Sequence, residues 1–139
     1  MVRQFEFKKT VEEIEIAGEI YLLPLDDDNL LRIQRDFISY GKEIEELQKV
    51  EVEKGDPDDL ADNHKQQLLV MKKVIESPFG EGSFEKLYEA SGHSLMNMVD
   101  LLDYLVELVA EKVEQNKARA TKAKEKYYSL EAQEKVGSL

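Results

Sequence analysis

The chain contains no cysteine and two histidines, His64 and His93. No disulfide, thiolate metal ligand or thiol nucleophile is possible. His64 and His93 each lack a second histidine or a cysteine at metal-ligand spacing. His64 is expected to edge a core and His93 to lie in a turn. Asp26-Asp27-Asp28 and Asp56-Asp58-Asp59 suggest calcium. An EF-hand loop needs an oxygen ligand at its fifth position, Gly at its sixth and Glu at its twelfth. Counted from Asp26, those positions hold Leu30, Leu31 and Phe37; counted from Asp56, they hold Leu60, Ala61 and Gln67. Both clusters read instead as helix caps, since carboxylates satisfy free amides and complement the helix dipole.

Paired carboxylates are the other candidates. Glu12-Glu13, Glu43/Glu46 and Asp100/Asp103/Glu107 could serve acid–base work, and the last three share a helix face. Di-iron bundles would pair them with Glu-x-x-His motifs, which are absent. Gly80-x-Gly82 follows a helix and lacks the phosphate-loop lysine, so it reads as a turn. Tyr127-Tyr128 beside lysines could stack on a nucleic-acid base. A net charge of -11 argues against that, and against docking on anionic membranes. No catalytic, cofactor-binding or metal-binding residue is expected, and the protein is not expected to be an enzyme.

The elements that would position these residues follow from periodicity. Phe5 and Phe7 alternate with polar residues, as do Ile14 and Ile16, and Ile20 to Leu23 follow the turn-prone Ala17-Gly18. Residues 4–23 therefore predict a small antiparallel hairpin or three-stranded meander. Pro24 closes it. An acidic N-cap then opens a long amphipathic helix over 27–53, with Leu30, Ile33, Phe37, Tyr40, Ile44 and Leu47 in steps of three and four. Gly41 inside it suggests close packing or a bend. Asp56-Pro57 starts a second helix over 57–76, with Leu60, His64, Gln67, Leu68, Met71 and Ile75 on one side. Ser77-Pro78 should end it. Ser83 is expected to cap a short helix over 83–91, with Phe84, Leu87 and Tyr88 inward and Gly92 as its C-terminal cap.

Ser94 should cap the last helix, over 94–128 and projecting, with a flexible tail at 129–139. This helix carries apolar residues on two lines. Leu95, Val99, Leu102 and Val106 are assigned to the core. Met98, Leu101, Leu105 and Leu108, with Tyr104, are assigned to a partner or to self-association. The predicted fold class is thus mainly α with a small N-terminal antiparallel β-hairpin, α+β in kind, with about four helices in a single domain of residues 1–139. Composition agrees: 42% hydrophobic and 35% charged residues describe a helix-rich protein with a highly charged surface. The N-terminus lacks the apolar core of a secretory signal, and Asp100, Asp103 and Glu107 interrupt the densest apolar stretch, so no membrane span is expected. From Asp26 to Asp59 twelve acidic residues face five basic ones; from Lys117 to Lys126 five basic residues face one acidic. Both runs read as solvated faces, although opposite charges could steer one copy to another.

The run Ser77-Pro78-Phe79-Gly80-Glu81-Gly82-Ser83-Phe84-Glu85-Lys86-Leu87-Tyr88 resembles a turn and short helix of the short tail assembly chaperones of siphophages and prophages of Gram-positive bacteria. Ser94 to Leu105 is similar to their next helix. The resemblance spans most of residues 4–113 and consists of packing and turn residues. It implies a non-enzymatic protein of the host bacterial cytoplasm, absent from the mature virion. Such a protein coats the tape measure protein, keeps it soluble and recruits tail tube subunits. Many of the family self-associate, which makes a homo-oligomer the expectation, and many have a longer form made by frameshifting. The alternatives are a minor virion structural or completion protein and a host helical adaptor.

Overall fold

The computed structural model describes residues 1–54 and 56–137, without the side chains of 50–54 and 136–137. Strands β1 (Val11–Ile16) and β2 (Glu19–Pro24) form a two-stranded antiparallel sheet in the register Ile14↔Tyr21 and Ile16↔Glu19. Ala17 and Gly18 join them with φ of 50° and 84°. Positive φ at both central residues is the turn that matches the right-handed twist of a two-residue hairpin. Residues 4–10 form no strand, so the hairpin is shorter than the predicted 4–23. Phe5 and Phe7 alternate as a strand would, yet no strand among the described residues pairs with them. Ile14 and Leu23 are buried on the inner face, and the Tyr21 ring lies 5.3 Å from that of Phe79.

Four helices follow: α1 (Asp27–Lys54), α2 (Pro57–Phe79), α3 (Ser83–Ala90) and α4 (Leu95–Gly137). The predicted stripe of α1 is the observed one. Leu30, Ile33 and Phe37 are buried, while Tyr40, Ile44 and Leu47 are half-buried. Gly41 has no close neighbour, since a Cβ built there meets nothing within 4 Å. The Asp56 carboxylate accepts the Asp58 N–H at 3.0 Å, and Pro57 takes the first helical position. That short connection folds α2 back along α1. The antiparallel pairing is visible in its bonds: Asn63 near one end donates to the Leu47 carbonyl at 2.6 Å, and Ser77 near the other donates to Asp36 at 2.6 Å.

Two helix ends and one burial assignment differ from expectation. Helix α2 includes Ser77 and Pro78 and runs to Phe79. Proline in a last turn forfeits one backbone bond and does not have to stop the helix there. Helix α4 runs past Tyr128 to Gly137, where a flexible tail was predicted over 129–139. Residues 129–136 contain neither Gly nor Pro, and Lys135 pairs with Glu131 one turn away at 3.8 Å. Ser138 and Leu139 lie outside the described residues. Finally, His64, expected to edge the core, is exposed, and its neighbour Asn63 is buried instead. Asn63 is tolerated inside because Leu47 takes its N–H and Gln67 donates to its oxygen at 2.6 Å.

The chain divides into two compact units, Met1–Tyr104 and Leu105–Leu139. The first holds the hairpin, α1 to α3 and the start of α4. Its fully buried side chains are Leu23, Ile33, Met71, Ile75, Leu87 and Met98. Each contributes about 1.5–3 kcal/mol through burial. The second unit is helical. Leu105 and Val109 are buried, and every side chain from Lys117 to Lys135 is exposed. Among the described residues no helix is long and apolar enough to cross a membrane.

Candidate interaction surface and the junction behind it

The motif from Ser77 to Tyr88 is a junction of α2 with α3, organised by Glu76. The Glu76 carbonyl accepts the Gly80 N–H at 2.9 Å, which closes the last turn of α2. Its carboxylate accepts the Gly82 N–H at 2.9 Å and the Phe84 N–H at 3.4 Å, the open amides at the start of α3. An anion at a helix N-terminus is favoured by both the free N–H groups and the dipole. Gly80 and Gly82 allow this return, with φ of 90° and 86°. Ser83, expected to cap α3, is its first residue instead, and its hydroxyl donates to the Gly80 carbonyl at 2.7 Å. The cap is thus supplied from the preceding helix rather than from the residue beside α3.

Further bonds tie the junction to its surroundings. Arg32 donates to the Ser77 carbonyl at 2.7 Å and to Asn29, which in turn donates to Asp26 at 2.6 Å. The Asn29 bond holds the Asp26 carboxyl below its ordinary pKa. Lys72 donates to Glu85 at 2.7 Å, which raises the Lys72 pKa and lowers that of Glu85. Lys86 reaches Glu19 of the hairpin at 3.4 Å. At the far end of α3 the His93 N–H bonds to the Tyr88 carbonyl and the Gly92 N–H to that of Glu89, with Gly92 left-handed at φ 81°. This is the Schellman arrangement, and its usual side-chain contact is made by His93 against the Tyr88 ring at 5.0 Å. His93 therefore has a structural part. Ser94 then caps α4 by accepting the Asn97 N–H at 3.1 Å.

The chemical candidates stay apart. Glu12, Glu13, Glu43, Glu46, Asp100, Asp103 and Glu107 are all exposed. Tyr127 and Tyr128 are exposed, with Lys124 5.8 Å above the Tyr128 ring. Among the described residues no three His, Asp or Glu side chains are grouped to hold a metal ion.

The predicted division of α4 requires correction. Met98, Leu102, Leu105 and Val109 are the buried line, at 1%, 4%, 0% and 4% exposure. At the helical repeat these four lie within an arc of about 60°. That arc sits on the seam between the two predicted lines. Met98 and Leu105, assigned to a partner, are inside, while Val99 and Val106, assigned to the core, are 37% and 40% exposed. Leu101 and Leu108 are half-buried on one shoulder, and Tyr104 stands 50% exposed beside them on the helix wheel. The sequence offered apolar residues over more than half the wheel, so spacing alone could not fix the phase.

A family model matches residues 22–138. The chain belongs to DUF6673, a family of unknown function. The match begins inside β2 and takes in all four helices. No curated protein and no solved structure matches the chain.

Proposed function

We propose that this protein is a non-enzymatic tail assembly chaperone of a siphophage or prophage, working in the host cytoplasm. It binds and solubilises the tape measure protein and helps to recruit tail tube subunits. The observation that carries this reading is the Ser77–Tyr88 junction. Residues of that run hold α3 on α2, with the Gly82 and Phe84 N–H groups donating to the Glu76 carboxylate and the Ser83 hydroxyl to the Gly80 carbonyl, while Ser77 ties α2 to Asp36 of α1. Two features suit the role. Helix α4 keeps apolar side chains outside its buried line, which a partner helix could cover. The chain carries a net charge of -11, which keeps a complex of apolar helices dispersed. On this reading the partner-facing residues are Tyr104 with Leu101 beside it, and Met98 and Leu105 serve the fold.

Co-expression with a fragment of the tape measure protein tests the proposal. The fragment should move into the soluble fraction with this chain and be lost again with Tyr104→Ser. A fragment that stays insoluble with both this chain and any longer form present would overturn it. Recovery of the protein from purified particles would instead favour a virion component.

A further inference from the structure

The hairpin has an unused edge. The Leu25 N–H bonds to the Thr10 carbonyl at 2.7 Å, so Thr10 and Leu25 form a hydrogen-bonded pair at the open end of the ladder. Such pairs alternate along antiparallel strands. With Glu12↔Leu23, Ile14↔Tyr21 and Ile16↔Glu19 in register, the even-numbered residues of β1 bond to β2. The N–H and C=O groups of Val11, Glu13 and Glu15 therefore point away from β2. Among the described residues the sheet has two strands, so this edge of β1 has no neighbour strand. A shallow groove lined by Lys9, Thr10, Val11, Glu12 and Glu13 lies at the start of that edge.

The chain also carries an unused strand. Phe5 and Phe7 are 80% and 89% exposed, with ring centroids 5.1 Å apart. Continued backward, the alternation of β1 places both on the outer face of the hairpin. That face is open and carries exposed apolar side chains beside Glu13 and Glu15, with Val11, Ile20 and Leu22 at 43%, 61% and 57% exposure. The charges are complementary. Residues 1–10 hold Arg3, Lys8 and Lys9 against Glu6, while residues 11–24 hold Glu12, Glu13, Glu15 and Glu19 and no basic residue.

We propose that the N-terminal segment of one copy adds as a strand to the β1 edge of a second copy, and reciprocally, about a two-fold axis at Thr10. In this register Phe7 faces Glu13, Phe5 faces Glu15 and Lys8 faces Glu12 of the other copy. All odd-numbered positions then meet as hydrogen-bonded pairs, which is the parity the edge requires. The exchange covers two exposed edges with one four-stranded sheet and gathers the exposed aromatics on its outer face. It uses no residue of α4 and stands apart from the chaperone reading.

Sedimentation equilibrium of the full chain over a wide concentration range tests this. The native protein should show a monomer–dimer equilibrium, and Phe5→Ser with Phe7→Ser should weaken it by about tenfold or more. Glu13→Pro should do the same, since the amide it removes points away from β2 and leaves the hairpin's own bonds in place. Lys8→Glu should weaken dimerisation and Lys8→Glu with Glu12→Lys should restore it. Amide exchange at Val11, Glu13 and Glu15 should slow as concentration rises. A native chain that stays monomeric overturns the proposal. So does an oligomer indifferent to the exposed Phe5 and Phe7, a result that holds whether or not Glu13→Pro folds.

Discussion

Single residues settle how α3 is held. The Glu76 carboxylate caps α3, because Gly82 at the N-cap has no side chain to offer. Glu76→Ala should lower stability by about 1 kcal/mol, as loss of a helix cap does, and urea unfolding would show it. Ser83→Ala should cost less, because it takes no N–H of α3. Tyr40 couples stability to pH. It lines a cleft with Asp36, Glu43, Val70 and Lys73, and burial pushes its pKa from 10.0 up to about 12. A folded-state value above the unfolded one supports the fold at lower pH and is lost as pH rises. Stability should therefore fall between pH 10 and about 12 through this group. Tyr40→Phe should flatten that loss, measured by denaturant midpoints across the range. None of this was visible in the sequence. Glu76 looks like a surface acid until Gly80 and Gly82 turn the chain back onto it, and Asn63 looks like a surface amide until α1 supplies its acceptor.

At the scale of elements the sequence was far more informative. Steps of three and four marked α1, and its stripe from Leu30 to Phe37 is the buried one. Asp56-Pro57 located the start of α2, and Ala17-Gly18 located the hairpin turn. These signals are local, and local chemistry fixes them. The phase of α4 was not legible for the converse reason. Apolar residues cover both shoulders of that helix, so its buried line depends on what covers it. The correction changes what substitutions should do. Leu105→Asp places a charge at a fully buried position and should cost more than about 3 kcal/mol. Tyr104→Ser, on an exposed position one residue away, should stay within about 0.5 kcal/mol of the parent. Circular dichroism with urea titration of the two variants separates them. Equal losses would mean that Tyr104 also belongs to the core.

At the scale of the molecule, burial and length are unevenly shared. The buried side chains lie between Ile14 and Val109, whereas Lys117 to Lys135 are exposed throughout. Removing residues 117–139 should therefore leave the urea midpoint nearly unchanged while lowering the helical signal. A large fall in the midpoint would mean that the exposed segment contributes to the core. The acidic surplus acts on the whole molecule too. With a net charge of -11, copies repel one another at long range, so any association should tighten as salt screens that repulsion, except where a local pair such as Lys8 and Glu12 dominates.

The uniform exposure of α4 beyond Lys117 bears on how this protein melts. Ion pairs one turn apart, such as Glu114–Lys117 and Glu131–Lys135, hold that segment together, and each is worth only a few tenths of a kcal/mol. A helix supported in this way frays by degrees as temperature rises, with no sharp transition of its own. The buried part unfolds cooperatively. Backbone ellipticity should then slope downward well before the core gives way, and a probe of side-chain packing should report a later midpoint. Heat denaturation of this chain is not one event, and a single melting temperature would describe only its packed part.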